Sequence, residues 1–364
     1  MKLALVTNIP APYRIPVFSK IASKMGDDFL VIFCAHIEPD RQWDLGSMEF
    51  NHTSLKERFL RRGNTFIHFN PDVMGVLRQF KPDVVITTGF NPTHLFAWAY
   101  ALFSRKKHVP MTDGWLHSER ELSTLHRIVR KVVYRTSHAY IAAGKAGFAL
   151  YRNYGIKDNY LFQSHLCIDN NVFRAAANNQ YRLYDVMFSG QIIERKLPDF
   201  FVNVVQQVKS RRGQLSVLII GDGPQRKNLL CKLNKLGVDA TYAGFIAQRD
   251  LPQHYSKAKM LLFTTRNDPW GIVANEALAS GTPVITTPYA GVAHDLVIDG
   301  VNGYILDLDP DLWASRINDL LDDQDLMARM RKNAIESVSE FNFENAAQGI
   351  ILAAKHAYNK GNRT

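Results

Sequence analysis

Short apolar runs, each sized for one buried strand, recur along this chain with helical stretches between them. In the first half they are Lys2–Thr7, Phe29–Phe33, Pro82–Thr87, Val109–Thr112, Ala139–Ala142 and Tyr160–Phe162. Helices are expected near Pro16–Lys24 and over Val73–Phe80. A second series offers strands at Asp185–Ser189, Ser216–Gly221, Ala240–Ala243, Ala258–Phe263, Pro283–Thr286 and Gly303–Leu306. Its helices are expected at Asp199–Lys209, Gln225–Leu236, Trp313–Asp322, Gln324–Val338 and Glu344–Tyr358. Strands separated by helices cannot form hairpins, so they build a parallel sheet covered on both faces. The small, polar, unpatterned stretch Ala175–Arg182 reads as a linker between the two series. The expected class is therefore α/β, with two Rossmann-like doubly wound domains, 1–178 and 179–343, and a closing helical segment, 344–364. Motifs at the carboxyl ends of the strands would then face a ligand cleft between the domains.

With 364 residues the chain can bury two separate cores. Its longest apolar run, His94–Phe103, is about half of what a bilayer span needs. The N-terminus carries one Lys, four apolar residues and then Thr7-Asn8, a first strand rather than a signal peptide. Cys34, Cys167 and Cys231 are odd in number and lack metal-like spacing, which fits a reducing cytoplasm. The net charge of +10 is concentrated at one end. Up to residue 180 there are 23 Lys and Arg against 14 Asp and Glu; beyond it there are 21 against 20. An anionic partner for the first half is the natural reading, and a membrane surface, a lipid-linked phosphate and a nucleic acid all qualify.

The stretch from Asn267 to Ile285 carries the most chemistry. Asp268 and Glu276 flank a Pro-Trp-Gly turn that opens a helix over Ile272–Ser280, closed by Gly281. Pro269 suits the first helical turn, having no N–H to lose. The N–H groups of about Gly271 to Ala274 then favour a phosphate. Eight helical residues rise about 12 Å, so the two carboxylates would hold opposite ends of an extended ligand such as a sugar nucleotide. Gly221-Asp-Gly223 after a strand also invites a dinucleotide-dependent dehydrogenase, but Arg226 occupies the third glycine position.

The segment 267–285 resembles the E-x7-E element of family 4 glycosyltransferases, retaining enzymes of the GT-B fold, with Asp268 in place of the first Glu. Gly190-Gln-Ile-Ile-Glu-Arg-Lys196 resembles the family's G-R-x4-K loop, whose cations hold the donor diphosphate. Lys196 matches the Lys, Gln191 replaces the Arg, and Arg195 offers a substitute charge. Ile219-Ile-Gly-Asp-Gly-Pro224 resembles the loop where glycines let the backbone approach the nucleotide. The resemblance runs through nearly the whole chain and is strongest over Tyr184–Leu306.

It implies that Asp268 lies by the donor sugar hydroxyls and Glu276 by the ribose hydroxyls. Backbone groups of Gly271, Ile272 and Val273 would line the region between. In the first domain Asp113 takes the slot of a family His, with His117 the alternative. The stiff loop Asn8–Arg14 replaces a glycine-rich one, and Arg14 there meets an acceptor or a phosphate, or the loop is simply a rigid turn. The implied activity moves a sugar from a nucleotide-diphosphate sugar to a glycan or lipid-linked acceptor in surface polysaccharide or lipopolysaccharide synthesis. A non-catalytic sugar-nucleotide binder is the competing reading. No metal and no cofactor beyond the donor are expected, and Asp307-Leu-Asp309 reads as turn residues rather than a metal motif. The basic amphipathic stretch Glu121–Arg135 points to peripheral contact with an anionic membrane at its inner face. No nucleic-acid motif accompanies it.

Overall fold

The computed structural model describes residues 1–39, 45–62, 65–119, 122–177, 181–293 and 295–360. They form two units: Met1–Leu166 joined by the segment from Phe343 onward, and Cys167–Asn342.

The first unit contains strands β1 (Leu3–Thr7), β2 (Phe29–Phe33), β3 (His52–Ser54), β4 (Phe59–Arg62), β5 (Thr65–His68), β6 (Val84–Thr87), β7 (Lys107–Thr112), β8 (Tyr140–Ala142) and β9 (Leu161–Gln163). Its helices are α1 (Ile15–Met25), α2 (Val73–Phe80), α3 (Pro92–Phe103), α4 (Leu116–Glu119), α5 (Thr124–Arg135) and α6 (Lys145–Asn153). Seven strands form a parallel sheet in the order β3-β2-β1-β6-β7-β8-β9. β2 and β6 are buried throughout, as strands covered on both faces must be. The antiparallel hairpin β4–β5 was not legible in the apolar pattern.

The second unit contains α7 (Asn170–Ala177), β10 (Tyr184–Ser189), α8 (Pro198–Arg212), β11 (Ser216–Ile220), α9 (Arg226–Lys235), β12 (Asp239–Gly244), α10 (Leu251–Tyr255) and β13 (Ala258–Phe263). It continues with α11 (Ile272–Ala279), β14 (Val284–Thr286), β15 (Gly303–Ile305), α12 (Pro310–Asp322) and α13 (Gln324–Ser337). Its sheet, β12-β11-β10-β13-β14-β15, is parallel throughout. In both sheets the chain runs outward from a central strand, then returns to that strand's other side. The reversal falls between β1 and β6 and between β10 and β13, where strand carboxyl ends leave a crevice.

The expected domain boundary at 178/179 lies outside the described residues, but the two units divide earlier, between Leu166 and Cys167. The expected linker is in part a helix: α7 packs on α10 and α11 with Phe173 and Ala177 buried. Arg182, at the end of that stretch, is also structural. Its guanidinium donates to the carbonyls of Tyr255, Ala258, Ser280 and Gly281, the last two closing α11.

The last helix, α14 (Phe343–Lys360), belongs to the first unit and packs on α1 and β9. Gly349 permits this: a Cβ there would lie 1.6 Å from the Gln163 carbonyl oxygen. Gly349→Ala is expected to destabilise the fold by about 1–3 kcal/mol, the range for overpacking, read as a lower Tm in thermal unfolding. An unchanged Tm would mean that α14 is not seated against β9.

Candidate functional site

In the second unit, loops from three neighbouring strands converge at the sheet's reversal point. After β10 the chain turns through Gly190, at φ 125°, and a short turn over Glu194–Lys196. After β13 it crosses that turn. Thr264 Oγ1 donates to the Lys196 carbonyl at 2.7 Å, and the Arg266 N–H donates to the Arg195 carbonyl at 2.8 Å. After β14 the chain lies against Asp268, whose N–H donates to the Tyr289 carbonyl, while Gly291 N–H donates to the Asp268 carbonyl. Gly291 must be glycine here, because a Cβ would sit 1.9 Å from the Pro269 oxygen.

This scaffold brings Asp268, Lys196 and Arg195 together. Asp268 Oδ2 accepts from Lys196 Nζ at 2.5 Å and from Arg195 at 3.0 Å; Oδ1 accepts from the Trp270 N–H at 3.1 Å. Burial alone would raise the Asp268 carboxyl, but the two cations outweigh it and hold the group below the usual carboxylate range. Burial pulls the Lys196 ammonium below the ordinary lysine value, with Asp268 opposing that shift. Lys196 also sits 4.3 Å from the Phe263 ring centroid, a cation–π contact. The resemblance puts Asp268 beside sugar hydroxyls and Lys196 beside phosphate; in the structure they bind each other.

The helix geometry departs from the expectation in one respect. α11 begins at Ile272, so Pro269 stands outside it rather than in its first turn. Asp268 instead closes a side-chain turn onto Trp270, and a 12 Å helical separation from Glu276 does not apply. Gly271 caps the helix at φ 101°, where a Cβ would lie 2.3 Å from the Phe263 ring. The N–H groups of Ile272 and Val273 have no carbonyl within the helix to reach, whereas the Ala274 N–H, expected to be open, donates to the Gly271 carbonyl at 2.9 Å.

Glu276 lies on α11 and is buried. Its Oε2 accepts from the Tyr255 hydroxyl at 2.7 Å, and that hydroxyl also bonds Ser189 Oγ at 2.7 Å. Burial pushes the Glu276 carboxyl up to about 7, the Tyr255 hydrogen bond offsetting part of the rise.

Gly221 and Gly223 also have a packing role in the loop itself. A Cβ on Gly221 would lie 2.0 Å from the Gly190 oxygen, and one on Gly223 2.5 Å from the Ile192 oxygen. The space is taken by the neighbouring loop's own backbone, pinned by Ile192 N–H on the Asp222 carbonyl at 2.8 Å. Gln191 is exposed beside them. Asp309 caps α12 through the N–H groups of Asp311 and Leu312, which accounts for Asp307-Leu-Asp309 as turn chemistry. Among the described residues no cluster of His, Cys, Asp or Glu is arranged to hold a metal.

In the first unit, Arg14 and Asp113 meet at 2.8 Å on the wall of an open cavity of about 210 Å³. It lies at the carboxyl ends of β1, β6 and β7, with Thr7, Asn8, Glu38 and Thr88 also lining it. Glu38 is buried and paired with His68 Nε2 at 2.9 Å. His117, on α4, stacks near Trp115 and does not line the cavity. Of the two first-domain candidates, the structure therefore places Asp113 with Arg14. Sequence reasoning missed Tyr255, Ser189, Gly291 and Glu38, each of which stands outside any recurrent spacing.

Residues 170–337 match the family described as glycosyl transferases group 1. The second unit belongs to that family. A D-inositol 3-phosphate glycosyltransferase of Frankia alni is 28% identical over 185 residues, covering 47% of this chain and 45% of that protein. The chain thus aligns with less than half the length of such a curated relative. Over the whole fold it is similar to the crystal structure of Anabaena HepE in complex with UDP, with a TM-score of 0.77 at 18% identity, covering 98% and 100% of the two chains. The lipopolysaccharide outer core galactosyltransferase WaaB is similar at a TM-score of 0.73 and 13% identity, covering 97% and 99%. These likenesses show the GT-B fold, built from two Rossmann-like α/β units.

In the group 1 unit, Glu276 gives a pH signature. Its value when folded, about 7, stands above the reference of 4.5, so the folded state keeps the proton over that interval. Stability is then greatest below about 4.5 and falls as pH rises toward about 7. Glu276→Gln should remove this slope, a difference on the order of 3 kcal/mol across the window. Denaturant titrations at several pH values measure it, and parallel curves for both proteins would refute the buried-carboxyl account.

Proposed function

We propose that the chain is a retaining glycosyltransferase that moves a sugar from a nucleoside diphosphate sugar to a hydroxyl of a glycan or lipid-linked acceptor. The observation that carries this reading is the grouping of Lys196, Arg195, the open N-terminus of α11 and the buried Glu276 within one group 1 unit. The bond from the sugar's anomeric carbon to the diphosphate breaks, and the acceptor oxygen bonds that carbon from the same face. The acceptor's proton passes to the departing phosphate oxygen, so no protein nucleophile is needed. Negative charge grows on the diphosphate, and fixed cations with aligned N–H groups lower the barrier because they need no reorganisation. Arg195 supplies the second cation that Gln191 does not. Glu276 accepts hydrogen bonds from the ribose diol, and Asp113, oriented by Arg14, serves the acceptor side. No resident cofactor enters this scheme. HepE's complex with UDP supports a uridine diphosphate donor, and WaaB's description supports lipopolysaccharide or surface polysaccharide as the product class.

Binding of UDP, GDP, ADP and NAD to the wild type and to Glu276→Ala tests this. One nucleoside diphosphate should bind, and the variant should lose about 1–3 kcal/mol of affinity, as for a charged hydrogen bond. Binding of NAD alone, indifferent to Glu276, would replace the reading with a dehydrogenase. Nucleotide binding without transfer from any nucleotide sugar would leave a non-catalytic binder.

Membrane contact belongs to the same proposal, and a specific face of α5 favours it. Val133 and Tyr134 anchor that helix inward, and Arg130 pairs with Glu119 over the Phe90 ring. Leu125, Ile128 and Val132 point outward instead, with 67%, 54% and 47% of their surface exposed. They follow one helical face, flanked by Arg127, Lys131 and Arg135. An ordinary surface helix shows one apolar face, turned to the core; this one shows a second, matched to the boundary of an anionic bilayer. Among the described residues no helix is long and apolar enough to cross a membrane. The protein should sediment with vesicles containing phosphatidylglycerol and be partly released by high salt. Replacing Leu125, Ile128 and Val132 together by Ser should abolish sedimentation; retention at the wild-type level would rule out this face.

A further inference from the structure

Tyr255 ends α10, a helix of five residues that no motif in the chain marks. Its side chain is fully buried, with the Phe173 ring 6.1 Å away. Its carbonyl accepts from Arg182 at 3.2 Å and from Thr282 Oγ1 at 3.0 Å, so the backbone is fixed as firmly as the ring. A phenol has one proton. With that proton on Glu276 Oε2, the Ser189 hydroxyl must donate to the Tyr255 oxygen, giving one ordered chain from Ser189 through Tyr255 to Glu276. Ser189 closes β10, the strand at the sheet's reversal point.

We propose that Tyr255 is a positioning residue for donor binding: by occupying Oε2 of Glu276 it presents Oε1 to the vicinal hydroxyls of the nucleotide's ribose. This rests on the donor role of Glu276 given above. A carboxylate holds a diol well because it accepts two charge-assisted hydrogen bonds, which requires it to be ionised and aimed. Burial works against ionisation, and the Tyr255 hydrogen bond works for it. The other charged groups near α11 stand at its far end, where Arg182 caps Ser280 and Gly281 with Arg331 beside it. Lys196 is committed to Asp268. Tyr255, on α10, is the titratable side chain that touches Glu276 and influences its ionisation. Ser189, on β10, does not ionise and acts on Glu276 only through that phenol.

The test is the affinity for whichever of UDP, GDP and ADP the protein binds, measured by calorimetry across a range of pH. For the wild type, affinity should rise with pH through about 7. Tyr255→Phe, which removes only the hydroxyl, should move that midpoint up by about one pH unit, weakening binding about tenfold on the acid side and little on the alkaline side. Ser189→Ala should shift it the same way by less, which keeps the question open to measurement if Tyr255→Phe folds poorly. In a Glu276→Gln background only the pH dependence of the nucleotide's own phosphate should remain, and Tyr255→Phe should add no further shift. A loss of affinity equal at every pH would make Tyr255 merely structural and overturn the proposal. So would an unmoved midpoint in both variants. Wild-type affinity in Glu276→Gln would refute the ribose role instead, and binding of none of the three nucleotides would remove both readings.

Discussion

The second unit's site is organised around one carboxylate. Taking Lys196 and Asp268 out of water together costs several kcal/mol per ion, which their attraction repays only with good geometry and further hydrogen bonds. Asp268 has both: two cations on Oδ2 and the Trp270 N–H on Oδ1. Its backbone then clamps the loop after β14 at Tyr289 and Gly291, while Thr264 and Arg266 pin the loop after β10. Three loops from adjacent strands therefore hold one another around a single buried pair. Both cations are consequently held in place by Asp268.

Glycine does two kinds of work around that carboxylate. At Gly221, Gly223 and Gly291 the missing Cβ leaves room for a neighbouring loop's carbonyl, so these residues join backbone to backbone. Gly271 instead clears the Phe263 ring and adopts a left-handed conformation that lets the chain enter α11. The first three build the floor of the site, and the fourth sets the direction in which the helix N-terminus points.

The first unit separates its charge from its cavity. Arg14 is the cation lining the cavity, and it is neutralised by Asp113 while Glu38 adds a second carboxylate nearby. The basic excess of the first half is carried elsewhere, including Arg127, Lys131 and Arg135 on α5. The cavity and the outer face of α5 therefore differ in charge within one unit.

The alternation of apolar runs and helices determined the two parallel sheets, because strands buried on both faces leave continuous Val, Ile and Leu in the sequence. The local motif around 267–285 likewise determined where α11 would lie, with Glu276 on it, whereas the position of Asp268 in the turn before it came from the tertiary structure. What the sequence hid depended on contacts between distant segments. Ala175–Arg182 reads as a linker because small and polar residues carry no period, yet Ala177 and Arg182 are fixed by α10 and the end of α11. Glu121–Arg135 reads as one basic amphipathic stretch, and only the seating of α5 shows which apolar residues turn inward, Val133 and Tyr134, and which outward, Leu125, Ile128 and Val132. Tyr255 has no motif of its own, since its meaning comes from Glu276, 21 residues away. Residue type and spacing decided the fold and the presence of the acids and cations. The pairing of Lys196 with Asp268, and of Tyr255 with Glu276, was decided by tertiary structure, because the energy of a buried charge depends on what the fold places beside it.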